Sequence, residues 1–440
     1  MSPSLPPGPR MPRALQAIGW TQRPLPFLER CQRRYGDTFT LRIRHWGDWV
    51  VLADPADVKT VFTAGAAVGV DIANPLLGPV LGPRSVMLLE EPEHMTRRKL
   101  MLPSFHGRSV AAEAEAMTAV AQRAVEGWPL GEPFALWPRM QDITLDVVMR
   151  AVFGDDPDPR LLTLRERLRT LTNWLNEPNN LAMLSLLGPG FVARSRGYRA
   201  AMGPVEAAVM DEVRRRRAEP EREDIVSMLV QARYEDGAPM SDQDLRDELV
   251  TLLSDGPTST SLSWAFERLL RNPAALERAR ADAAGGDGAY LDAVVKETLR
   301  LRPPVPVVVR RLLEPLRLGG HDLPAGTTVA PCIHLIHRSA RYYPRPRLFR
   351  PERFLEQPAG TYTWIPFGGG VRRCLAASYA EMEMKRVLRT VLNTVELRSA
   401  VDDSERSRRS AISFSPDQSG LVIAERRLAG AADAPTLAAA

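Results

Sequence analysis

Phe367-Gly368-Gly369-Gly370-Val371-Arg372-Arg373-Cys374-Leu375-Ala376 decides how this chain is read, and a helical pattern follows it directly from Ala377. Three consecutive glycines open backbone conformations closed to other residues and let a large flat ligand approach closely. Arginines beside a cysteine, together with the N-terminus of the next helix, favour the thiolate over the thiol. A thiolate held this way is a nucleophile or an axial metal ligand. Without a neighbouring histidine to serve as general base, the ligand role fits better.

Outward from this loop, the chain has the profile of a soluble globular protein. Its 440 residues are 44% hydrophobic and 25% charged, enough to bury a large core. Arginine carries nearly all the positive charge, since Lys59, Lys99, Lys296 and Lys385 are the only lysines, and the net charge is +5. That is too weak for nucleic acid and suits an acidic protein partner. The run Arg214 to Arg217 reads as the solvated face of a helix. Cys31, Cys332 and Cys374 are odd in number and far apart, so a reducing cytoplasm fits and a disulfide framework does not. No stretch long enough to cross a bilayer is free of charges and prolines.

Residues 1–26 form a proline-rich N-terminal segment, 27–428 a single domain, and 429–440 a flexible alanine-rich tail. Thr38 to Ile43 and Trp49 to Leu52 read as a hairpin around Trp46-Gly47-Asp48. Helical patterns dominate from Pro55 onward, including Ser241 to Leu270 and a last helix from about Ala376 to Leu397. The fold class is mainly α with a small β portion.

The cysteine loop resembles the heme-binding pattern of the cytochrome P-450 family, Phe-x-x-Gly-x-Arg-x-Cys-x-(Ala/Gly), met here by Phe367, Gly370, Arg372, Cys374 and Ala376. Further matches span nearly the whole chain. Glu297 and Arg300 fit the family's Glu-x-x-Arg, at a spacing that places both on one helix face. Pro351-Glu352-Arg353-Phe354 looks like the segment whose arginine completes a buried ion network with that pair. His94 and Arg98, at His-x-x-x-Arg spacing, and Arg310 match the charges that hold the heme propionates, where cationic donors suit carboxylates. His334 and His337 lack a nearby third ligand and read as a loop beside the core.

The family's oxygen-activating helix, (Ala/Gly)-Gly-x-(Asp/Glu)-Thr-Thr, is altered to Asp255-Gly256-Pro257-Thr258-Ser259-Thr260. Gly256 matches, Thr258 replaces the acid, Ser259 replaces the usual alcohol and Asp255 the small residue. Inside a helix Pro257 leaves the Leu253 carbonyl free and kinks or widens the helix. Ser259 is then the inner end of a proton relay. Asp255, four residues away, is a substitute acid in that relay, a site for a cationic substrate or, least favoured, an ester to a heme methyl.

The resemblance implies a cytochrome P-450 fold and heme b with Cys374 as axial iron ligand. It also implies insertion of one oxygen atom from dioxygen into a small organic substrate. The segments that line the distal pocket in the family supply Leu76, Leu77, Val80, Trp174, Leu184, Leu187, Val307 and Phe414, an apolar set. No flavin or nicotinamide fingerprint is evident, so electrons come from a ferredoxin or flavodoxin with its NAD(P)H-dependent reductase. Arg97, Lys99, Arg373 and Arg386 flank segments that face such a partner in the family. The alternatives are peroxide-driven oxidation, oxidative coupling or rearrangement, or a heme-thiolate sensor or carrier without turnover.

Overall fold

The computed structural model describes residues 5–70, 77–105, 108–155, 158–219, 222, 224–254, 256–410 and 413–427. The hairpin forms where the alternation places it. Thr38–Ile43 pairs antiparallel with Gly47–Leu52, in a register that sets Thr38 opposite Leu52. Thr328–Pro331 joins parallel to the second strand, with Val50 opposite Val329, and Arg310–Leu312 and Val68–Val70 complete a five-stranded sheet. One face of the sheet buries Phe39, Leu41, Ile43 and Trp49, and the other buries Val50, Leu52 and Val329.

Helices make up the larger part, and sheet and helices form one body. Leu136–Phe153, Pro159–Asn176 and Ala289–Leu301 are helices within the part of the chain where helical patterns dominate. The proline-rich N-terminal segment contains a helix at Arg13–Gln22, whose Ala17 and Trp20 pack into the sheet core. The final helix, Ala377–Thr394, stops short of Leu397 because Val395–Ser399 pairs with Leu421–Arg427 as a strand. β-Branched Val395 suits that pairing.

The stretch expected as one helix from Ser241 to Leu270 is two. Asp242–Leu253 opens on a capping box between Ser241 and Asp244, and Pro257–Leu270 opens on its proline. Pro257 therefore lies in the first turn of a helix, where its missing N–H is no loss, rather than kinking one from inside. The arginine run is also not a uniformly solvated face. Arg216 is buried and bonds Glu212, Asp224 and the Phe153 carbonyl, while Arg214 stays exposed beside Asp211.

Candidate functional site

The cysteine loop is tied to the molecule from below. His337 accepts the Ile365 N–H at Nε2 (2.8 Å), and its Nδ1 lies 3.2 Å from the Arg300 carbonyl, to which it donates. Trp364 donates its indole N–H to the Lys296 carbonyl at 3.1 Å. The Gly368 N–H then donates to Ile365, the Cys374 N–H to Phe367 (3.0 Å) and the Arg373 N–H to Gly370, winding the loop into a tight turn. It delivers an exposed Cys374 just ahead of the Ala377–Thr394 helix.

The three glycines have different reasons to be glycine. Gly368 has φ +69° and nothing within 4 Å of where a Cβ would stand. Gly370 has φ +67°, and a Cβ there would collide with the Phe62 carbonyl, while one on Gly369 would enter the Phe62 ring. Only Gly368 faces the open space that a flat ligand needs. The other two let the loop close onto the Pro55–Thr63 helix.

Cations gather around this loop in excess of their counter-charges. Arg372 donates to the Leu89 carbonyl at 2.8 Å and lies 3.4 Å from Glu90. Arg310 donates only to the neighbouring Val309 carbonyl among the described residues, and burial, with Arg372 nearby, pushes its pKa down to about 10. Arg98 has no hydrogen bond or ion pair there. Burial lowers its pKa, the nearby Cys374 sulfur raises it and Arg373 lowers it. His94 is buried and bonds Glu91 at 2.7 Å, and burial followed by Arg372 holds its pKa down. Glu90 and Glu91 do not balance this set. The uncompensated donors fit a group carrying carboxylates, as heme does.

Behind the loop the expected ion network is present. Arg300 makes a bidentate pair with Glu297 (2.7 and 2.9 Å), both fully buried, and Arg353 adds a third bond at 3.1 Å. Arg300 also donates to the His337 and Pro346 carbonyls. The His334 and His337 pair is absorbed by this structure. His334 faces Glu29 at 3.1 Å, and no metal-binding cluster exists among the described residues.

At the helix break Asp255 lies outside the described residues. Ser259 is fully buried and donates its hydroxyl to the Gly256 carbonyl at 3.0 Å. Thr258 and Thr260 are buried beside it, and the Thr260 hydroxyl has no partner among the described residues. A helix start thus carries one engaged and one orphaned hydroxyl. Trp264 pins the break to the strand Ser413–Pro416 by donating to the Phe414 carbonyl at 2.7 Å.

Of the expected pocket residues, Val80, Trp174 and Leu184 line one cavity with Pro79, Val192 and Tyr198. Leu77 is half-buried, Val307 packs in the sheet core, Phe414 is buried near Trp264, Leu187 is exposed and Leu76 lies outside the described residues. The expected partner-facing set needs one correction. Arg97 is buried, pairs with Asp244 at 2.7 Å and Glu248 at 2.9 Å, and donates to Tyr234, so it presents nothing to a partner. Lys99 and Arg373 are exposed and Arg386 is half-buried.

Phe62, Trp364, His337 and Glu90 contribute to the site without a sequence motif to announce them. Among the described residues no helix is long and apolar enough to cross a membrane. A cytochrome P-450 family model matches residues 3–421. A Mycobacterium tuberculosis protein carrying the name cytochrome P-450 135B1 is 43% identical over 423 residues, 92% of this chain and 88% of the relative. Another from that organism, cytochrome P-450 137, is 40% identical over 397 residues, 87% of this chain and 82% of the relative. Among solved structures, "Retinoic acid bound cyanobacterial CYP120A1" aligns with a TM-score of 0.82 over 97% of this chain and 100% of its own, at 23% identity, a likeness of fold.

Proposed function

The chain belongs to the cytochrome P-450 family of heme-thiolate monooxygenases, and on that premise we propose that it binds heme b through Cys374 and inserts one oxygen atom of dioxygen into a largely apolar organic substrate, by hydroxylation or epoxidation. The observation that carries the reading is an exposed cysteine on a loop ringed by under-compensated cations, Arg98, Arg310 and Arg372. Bound heme supplies the activation of dioxygen, and a thiolate ligand favours cleavage of the O–O bond.

The remaining work belongs to the chain's own residues. Arg98, Arg310, Arg372 and His94 orient the two carboxylates, and the flanking arginines hold Cys374 as thiolate. Phe367, Gly370 and Ala376 shape the loop, and Gly256 opens the helix break. Ser259 Oγ holds and passes a proton there, with Thr258 and Thr260 as neighbouring hydroxyls and Asp255 as the acid that recharges them. Val80, Trp174 and Leu184 exclude water from the substrate side. Electrons arrive from an acidic ferredoxin or flavodoxin with its NAD(P)H-dependent reductase, received by Lys99, Arg373 and Arg386. Reduction by such a partner therefore slows as salt is raised and in Arg373→Glu.

The test is turnover of the heme-loaded chain with a surrogate ferredoxin, its reductase and isotope-labelled dioxygen. One labelled oxygen atom per product molecule is expected. Product that forms only with added peroxide would overturn it in favour of peroxide-driven oxidation, a reading that the replacement of the family's acid by Thr258 supports.

A further inference from the structure

Four helices bring together a group of arginines that outnumber their acids. Arg302 follows the Ala289–Leu301 helix, Arg338 follows Ile333–His337, Glu29 stands on Pro24–Tyr35 and Glu267 on Pro257–Leu270. Each acid already serves two arginines. Glu29 meets Arg338 at 3.4 Å and Arg347 at 2.8 Å, and Glu267 pairs with Arg268 and, at 2.8 Å, with Arg271. Arg302 is left over. It is half-buried, its guanidinium carbon lies 4.5 Å from the centre of the Trp264 ring, and it makes no hydrogen bond or ion pair among the described residues. Stacking leaves the N–H edge of a guanidinium free for an in-plane acceptor. Burial, followed by Arg338 and Arg268, pushes the Arg302 pKa down to about 9, against Glu267 and Glu29.

Three buried nitrogens here have no partner among the described residues: Arg302 Nε, Arg338 Nε and His334 Nδ1. Arg338 donates to the Leu301 carbonyl at 3.1 Å, which brings it beside Arg302. His334 is fully buried and near enough to both arginines for each to depress its pKa. The two arginine donors lack an acceptor, and the surplus charge calls for an anion. His334 adds a third demand. Its Nε2 lies 3.1 Å from Glu29, and that bond holds Glu29 down at about 2, so the carboxylate is ionised and Nε2 carries the ring proton. Burial pushes the His334 pKa down to about 4, which leaves Nδ1 a bare acceptor at neutral pH. We propose that this cluster binds a small inorganic oxyanion that keeps one hydroxyl, hydrogen phosphate or bicarbonate, which accepts from Arg302 and Arg338 and donates its hydroxyl to His334 Nδ1. Chloride and nitrate have no hydroxyl and satisfy only the arginines. None of these groups belongs to the cation set around Cys374.

The experiment is equilibrium dialysis of the heme-loaded full chain, at neutral pH in a chloride-free buffer, against radiolabelled phosphate and separately against radiolabelled bicarbonate. Saturable binding of one ion per chain is expected for at least one of the two, and the tighter of them is the occupant. Arg302→Met keeps a side chain over Trp264 and removes the donors. It should lose about tenfold or more in affinity, with its reduced-plus-CO spectrum unchanged as the control for folding. On the wild type, chloride and nitrate should displace the label at least about tenfold less effectively than the unlabelled oxyanion, a comparison that needs no variant to fold. Binding of neither labelled ion overturns the proposal, as does binding that Arg302→Met leaves undiminished. Equal displacement by chloride or nitrate overturns the part given to His334. The assay involves no turnover, so its failure leaves the proposed activity standing.

Discussion

At Gly370 an added methyl group would meet the Phe62 carbonyl, and the backbone is already left-handed at φ +67°. Collision and strain combine there, so Gly370→Ala is expected to lose about 3 kcal/mol of stability or more. Gly368 has nearly the same φ but open space around it, so Gly368→Ala should lose only about 1 kcal/mol. Denaturant unfolding of the two variants checks this, and equal midpoints would contradict it. His337 carries the acid sensitivity of the same loop. Burial pushes its pKa from 6.5 down to about 3, and its Nε2 must stay unprotonated to accept the Ile365 N–H. Because the folded value is depressed, its contribution to stability is complete above pH 6.5 and is lost progressively as pH falls through about 3. His334, pushed down to about 4 by burial, acts in the same direction. His337→Gln should therefore show a shallower loss of stability on acidification than the wild type. An unchanged slope would remove His337 as the cause.

The elements that frame the site are a broken helix and a buried ion pair. Ser259 sits in the first turn of Pro257–Leu270, its hydroxyl spent on the Gly256 carbonyl. Ser259→Ala removes one hydrogen bond and should cost about 1 kcal/mol in stability. Product formed per electron consumed should fall by at least about tenfold. Normal coupling in that variant would exclude Ser259 as the proton carrier. On the Ala289–Leu301 helix, Arg300→Met strands the fully buried Glu297 charge and should destabilise the protein by about 3 to 5 kcal/mol. Thermal or denaturant unfolding measures it, and a loss below about 1 kcal/mol would mean that water reaches the pair.

Across the whole molecule, what the sequence made legible was local. The cysteine loop, the Glu-x-x-Arg pair and most helix positions follow from spacing within a few residues, and the structure has them. The helix break was legible as a proline effect, but its form as a fresh helix start depends on how Ser254 and Gly256 turn the chain. Contacts between distant segments were not legible. Phe62 decides why Gly369 and Gly370 are glycines, and Asp244 and Glu248 draw Arg97 inward. In each case the side chain's own sequence neighbourhood gives no sign of its partner. The claim on which the rest depends is thiolate ligation of heme by Cys374, and the reduced-plus-CO difference spectrum of the purified, heme-loaded chain tests it. A Soret band displaced to the red, as thiolate-ligated ferrous heme gives with CO, is expected in the wild type and absent in Cys374→Ser. An undisplaced band in the wild type, or no heme binding at all, would contradict the assignment and every site role built on it.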